Sequence, residues 1–205
     1  MELSIEEFME ALKDELDKQE IFLSECDFQL NLAKKLKDSN FDVILEYPIK
    51  KDELYKYKNN TTDLGNDTNS YIDIYCKKGD ESYFIELKYK TMEEQVTRYG
   101  NKFALKSHNC HTDNRRDVYK DIERLECCKK WYKDKYDKNS VGYMIFLTNY
   151  PNHHTPSSNQ KKYPLSKVIK DYNKQNLKVE GKYDVSWHEF KKINESQFEY
   201  LLVEI

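Results

Sequence analysis

Residues 71–90 read YIDIYCKKGDESYFIELKYK, two runs of alternating apolar residues around Lys78-Gly79-Asp80-Glu81. Gly-Asp is a hairpin turn signal, and the flanking residues are β-branched or aromatic at every second position. With Gly79 and Asp80 as the loop, Ile74 falls opposite Ile85 and Ile72 opposite Leu87. That makes one aliphatic face for a core. On the other face Asp73 falls across from Glu86, with Lys88 two residues further on and across from Tyr71. Two carboxylates rooted about 5 Å apart repel by about 3 kcal/mol at an effective dielectric of about 20. A cation therefore belongs between them. Lys88 offsets part of the repulsion, and a divalent ion with oxygen ligands offsets more.

Working outward, Ser4 and Glu7 form a capping box, and Ile5, Phe8, Met9, Leu12 and Leu16 repeat at helical spacing, which predicts a helix over 5–18. Phe28, Leu32 and Leu36 with Leu30 and Ala33 predict a second over 22–38. FDVILEYPI (41–49) reads as a strand ended by Pro48. The polar stretch 50–70 reads as a long loop at the rim of a sheet. VTRYGNKFAL (96–105) is read as a hairpin turning at Gly100-Asn101, with Val96 opposite Leu105; its competitor is a short helix ended by Gly100.

A helix over 114–133 puts Val118, Ile122, Leu125 and Cys128 toward the core and Asp117, Asp121 and Arg124 on a polar stripe. VGYMIFLTN (141–149) has the composition of a central strand buried on both faces. LSKVIKDY (165–172) reads as a short helix and EYLLVEI (199–205) as a closing strand. The expectation is one domain of the α/β class with a mixed sheet: a helical extension over 1–21, a core over 22–149, and a loop, short helix and closing strand over 150–205.

The chain has 205 residues, 35% of them charged and 38% hydrophobic, and 17 Tyr and 9 Phe supply enough buriable area to exclude disorder throughout. Its 34 basic and 37 acidic residues leave a net charge of −3, so no global field draws polyanions and any nucleic-acid contact must be local to one face. No apolar run is long enough to span a bilayer, and the N-terminal stretch is acidic and amphipathic, unlike a secretion signal. Five cysteines without framework spacing are read as free thiols. Together these predict a cytoplasmic protein with no membrane partner.

Asp73, then Glu86-Leu87-Lys88, on a hairpin flanked by helix-strand on either side, resembles the PD-(D/E)xK nuclease superfamily, whose restriction-endonuclease-like core runs αβββαβ. The elements from about 22 to 148 lay onto that order. IELKYKT, NKFALK, RRDVYKDIERLE, FLTN and the C-terminal W…F.YLLVEI further resemble a group of uncharacterised microbial proteins within the superfamily. Where the eponymous proline would stand, this chain has Ile72.

The resemblance implies that Asp73, Glu86 and the carbonyl of Leu87 hold Mg²⁺, with Mn²⁺ as a substitute, and that Lys88 orients or deprotonates the attacking water. Deprotonation requires a depressed lysine pKa. Glu25 or Gln29 matches the place of a supporting acidic residue, with Glu46 as a rival. Asp121 and Arg124 are lesser candidates, since an intrahelical ion-pair stripe with Asp117 is preferred for them over phosphate binding or support of the site. The implied partner is nucleic acid, DNA above all, and a homodimer or protein partner is left open.

The alternative is a nuclease-fold module that binds nucleic acid or a protein with little or no cleavage. The bland reading of Asp73, Glu86 and Lys88 is a solvated strand face with a cross-strand ion pair. Gln95 and Tyr99 match a QxxxY element of one exonuclease branch at too short a distance from Lys88. His108, Cys110, His111, Cys127, Cys128, His153 and His154 lack CxxC or HxxxH spacing and are read as surface histidines and core cysteines. Tyr55, Lys56, Tyr57 and Lys58 alternate as a strip able to touch a nucleic-acid backbone.

Overall fold

The computed structural model describes residues 4–17, 20–58, 68–153, 163–174 and 177–205. Helix α1 (Ile5–Glu15) is capped by Ser4 and α2 (Glu25–Asp38) by Ser24, whose Oγ accepts from the Asp27 N–H at 3.1 Å. Glu25 and Asp27 in the first turn of α2, with Lys35 and Lys37 in its last, complement the helix dipole. Both helices are shorter than the periodicity predicts, because Leu16 and Phe22 join the core from extended segments that flank them.

Six strands build the main sheet: β1 (Asp42–Lys50), β2 (Asn69–Lys78), β3 (Glu81–Lys90), β6 (Val141–Thr148), β9 (Ser186–Ile193) and β10 (Ser196–Glu204), in the order β1-β2-β3-β6-β10-β9. Only β3 and β6 run parallel; the other neighbours are antiparallel. Helices α1 and α2 cover one face through Ile85, Leu87, Ile145 and Leu147. Helix α4 (His111–Tyr136) covers the other through Phe84, Met144, Phe146 and Val203. Central strand β6 alternates between the two cores, as its unbroken apolar run predicts. Its Gly142 lets α4 and the C-terminus close in, since a Cβ there would lie 3.2 Å from the Leu125 Cβ and 3.3 Å from that of Ile205.

The hairpin has the expected register from Lys78–Glu81 up to Ile74–Ile85, turning at Gly79 with φ +61°. There the pairing ends. In β1 the register passes from Leu45–Ile74 to Tyr47–Ile72, skipping Glu46, which has φ 49°. Below this level Val43, Ile74 and Cys76 pack toward α1 and α2; above it Tyr47, Ile49 and Ile72 pack toward α4. Both strands thus change face at Glu46 and Asp73, an irregularity that re-aims side chains. The expected Ile72–Leu87 pair does not form, because Leu87 stays on the α1/α2 side.

Other expectations are corrected. Strand β1 continues through Pro48 to Lys50, which an edge strand tolerates because a missing N–H costs no ladder bond there. Residues 51–57 form α3 (Lys51–Leu54) and a 3₁₀ turn (Tyr55–Tyr57), docked on α4 by the Trp131 indole N–H donating to Glu53 at 3.0 Å. The Tyr55–Lys58 strip is engaged there: the Tyr57 hydroxyl donates to Asp134 at 2.7 Å and Lys58 meets Glu123 at 3.1 Å. Residues 59–67 of the expected loop lie outside the described residues. A second hairpin does form, β4 (Gln95–Arg98) with β5 (Asn101–Ala104), but Val96 pairs with Phe103. Its turn is Tyr99-Gly100, with φ 51° and 76°, the positive values a tight two-residue turn requires.

Residues 165–172 contain no helix. Val168–Lys174 is strand β7, paired with β8 (Leu177–Asp184), and strand β9 was not foreseen at all. Consequently β10 is enclosed between β6 and β9 and does not close the sheet. The edge amides of β8 are answered from α4: Glu126 accepts from the N–H groups of Glu180 and Gly181 and from the Tyr183 hydroxyl, and Glu123 accepts from the Lys178 N–H. No helix of the described residues is long and apolar enough to cross a membrane.

Candidate active site

Because β2 leaves β3 above Ile74–Ile85, the upper part of β3 has inward amides with no strand to bond. Buried N–H groups need acceptors, and side chains from three different elements supply them. The Leu87 N–H donates to Asp73 Oδ2 at 2.6 Å, the Tyr89 N–H to Glu25 Oε2 at 2.7 Å, and the Thr91 N–H to His108 Nδ1 at 3.1 Å. Asp73 is thereby fixed beside Glu86, and Glu25 beside Lys90, whose ammonium lies 3.6 Å away. Gln29 donates both to Glu46 Oε1 at 2.8 Å and to the Asp73 carbonyl at 2.7 Å. Gln29 and Glu46 therefore brace the bend that aims Asp73.

Glu86 and Lys88 face α4. Glu86 is 0% exposed, and Arg124 Nε lies 2.6 Å from its Oε1. The N–H is not aligned with that oxygen, so both carboxylate oxygens of Glu86 lack a hydrogen bond. Arg124 is anchored at its other end by Asp121, one turn back on α4. Asp121 Oδ2 also holds the Lys88 ammonium at 2.8 Å, and Lys88 donates to the Leu87 carbonyl at 3.0 Å. Three carboxylates (Asp73, Glu86, Asp121) thus share two cations (Lys88, Arg124). The cluster is one positive charge short when all are ionised.

Electrostatics follow from that count. Burial holds Glu86 well above the usual carboxylate range; Arg124 opposes this, while Asp121 and Asp73 add to it. Burial also raises Asp73, against the pull of Lys88 and of the Leu87 N–H. For Lys88, burial pulls the pKa down, but Asp121, Glu25, Glu86 and Asp73 outweigh it and the net shift is upward. These carboxylates favour the charged ammonium, which suits the orienting role.

Asp73, Glu86, Lys88, Asp121 and Arg124 thus converge, and the stripe reading of Asp121 and Arg124 is incomplete because each also reaches β3. Asp117 turns outward to Lys120 at 3.3 Å. Sequence reasoning missed His108 as an acceptor for the β3 edge; no local signal marks it, since the need arises from the departure of β2. Tyr99 is 79% exposed at a hairpin turn. Among the described residues no three His, Cys, Asp or Glu side chains form a metal cage. His111 stacks on Tyr150 at 3.7 Å, and Cys127 and Cys128 are buried in the core; His154 lies outside the described residues.

The oxygens of Asp73 and Glu86 with the Leu87 carbonyl suit a hard divalent cation such as Mg²⁺, which keeps several waters and needs only one or two carboxylates. The buried, unbonded oxygens of Glu86 are the observation that fits it. Compared with protein families, with curated proteins and with solved structures, the chain matches none.

Proposed function

We propose that this chain is a metal-dependent nuclease that hydrolyses DNA phosphodiester bonds through an Asp73, Glu86 and Lys88 site. One observation carries the reading: Glu86 is a fully buried carboxylate with neither oxygen hydrogen-bonded, next to Asp73 and Lys88 in a cluster short of one positive charge. With α3 and its 3₁₀ turn inserted after β1 and the β4–β5 hairpin after β3, the order α2-β1-β2-β3-α4-β6 supports the restriction-endonuclease-like assignment, being helix, three strands, helix, strand.

Asp73 and Glu86 would hold Mg²⁺ or Mn²⁺ with the Leu87 carbonyl. Such an ion polarises the phosphodiester and lowers the pKa of water bound to it. Lys88, held by Asp121, would orient the attacking water and offset negative charge that builds on the phosphate. Glu25 fixes the β3 edge through Tyr89, and Gln29 and Glu46 fix the bend at Asp73. The free cysteines fit a reducing, cytoplasmic setting. A second reading, a module that binds nucleic acid or a protein without cutting, is favoured by the contact of Arg124 with Glu86, which describes a site at rest.

The test is incubation of the purified protein with supercoiled plasmid, linear duplex and single-stranded substrates in Mg²⁺, Mn²⁺ or EDTA, with Lys88→Ala and Glu86→Ala in parallel. Metal-dependent cleavage lost in both variants supports the nuclease. Absence of cleavage, or cleavage that survives both substitutions, turns the conclusion to the binding module.

A further inference from the structure

Arg124 meets its two carboxylate partners unequally. Toward Asp121 it makes a hydrogen bond within one turn of α4; toward Glu86 it offers only an unaligned Nε–H at 2.6 Å. Guanidinium groups secure a carboxylate best by two parallel, aligned N–H bonds, and that arrangement is absent at Glu86. The arginine side chain is 28% exposed, whereas Glu86 is 0% and Asp121 5% exposed. It is more exposed than Glu86, Asp121 and Lys88, whose side chain is 15% exposed. Its tether to Asp121 would survive withdrawal from Glu86.

We propose that Arg124 is the place-holder for the divalent cation: ion and guanidinium compete for Glu86, and the displaced guanidinium, still tethered to Asp121, takes a phosphate oxygen of the nucleic acid. The inference rests on the cation-binding reading of this site. Coupling between two ligands is reciprocal, so whatever frees Arg124 also raises the affinity for the phosphate backbone. A guanidinium is suited to that second task because its donors match phosphate geometry.

Two measurements on the full chain test this. In the first, Mn²⁺ is titrated calorimetrically into the wild type, Arg124→Met, Arg124→Lys and Glu86→Gln without nucleic acid. Arg124→Met should bind at least about tenfold tighter than wild type, Arg124→Lys should fall between them, and Glu86→Gln should show no binding. Circular dichroism checks the fold, and Arg124→Lys serves if the Met variant does not fold. Equal or weaker binding by the folded variants overturns the competition. Heat from none of the proteins overturns the cation site itself, and this proposal with it.

In the second, fluorescence anisotropy follows a labelled duplex in EDTA and in Ca²⁺, with its integrity checked on a gel. Wild type and Arg124→Met should bind equally in EDTA, while the variant should be at least about fivefold weaker in Ca²⁺. Weakening in both conditions would make Arg124 a standing phosphate contact, and weakening in neither would make it no contact at all. Either result overturns the hand-over.

Discussion

Glu86→Gln, studied with divalent cations chelated, should make the protein more stable. Glutamine keeps the shape of the side chain and removes a charge that burial opposes. A buried charge costs more than a buried neutral amide of the same shape, and Glu86 is 0% exposed. What the substitution forfeits is the contact with Arg124, which keeps Asp121 as a partner and so is not left unpaired. The expected net gain is about 1–2 kcal/mol, or roughly 2–8 °C in Tm for a chain of this size.

The pH dependence gives the effect a signature. Folding raises the pKa of this carboxyl above its usual value of 4.5. Below that value it is protonated in both states and costs nothing. As pH rises past it, the unfolded chain ionises first, so the wild type loses stability until pH passes the folded pKa. The advantage of Glu86→Gln should therefore be absent near pH 4 and grow toward neutrality. Thermal unfolding in EDTA at intervals of pH measures it. A variant less stable than wild type at pH 7, or a difference that does not shrink in acid, would refute the charge count of the cluster.

Asp121→Asn, unlike Glu86→Gln, removes the carboxylate that two cations share, Lys88 at 2.8 Å and Arg124 on the same helix, and should cost about 3–5 kcal/mol in urea unfolding, because Lys88 is then left without its ion-pair partner. Only Cys26 and Cys110 should react with a thiol reagent in the native protein, because burial pushes Cys76 and Cys127 up to about 12 and Cys128 well above its usual value; all five should react in guanidinium. Gly142→Ala should lower stability by about 1–3 kcal/mol, since the new methyl meets two Cβ atoms that cannot swing away. Burial raises Tyr75 and Tyr200 to about 12, so their contribution is intact below pH 10 and lost as pH climbs from 10 through 12, which unfolding midpoints across that range will report.

The hairpin at 71–90 is legible because Gly79-Asp80 sets the loop length and alternation sets the register. The change of face at Asp73 is not legible, because Ile72 and Ile74 continue a perfect period of two. It depends on Glu46 in another strand and on Gln29, 44 residues away from Asp73. Likewise Asp121 and Arg124 form a self-sufficient pair at helical spacing, and nothing in α4 alone says that both also reach β3. VIKDY satisfies helix and strand periods alike over so few residues; only the partner strand LKVEGKYD decides between them. Pro48 reads as a stop until the strand is known to lie at an edge.

Helix α4 answers two clients at once. One side of it carries Asp121 and Arg124 into the cluster on β3, and the adjacent side carries Glu123 and Glu126 onto the amides of β8. Sliding or rolling the helix to suit one would strip acceptors from the other. The β7–β8 hairpin thus works as a detent for the cluster, and slack introduced there would be felt as drift in the positions of Lys88 and Arg124.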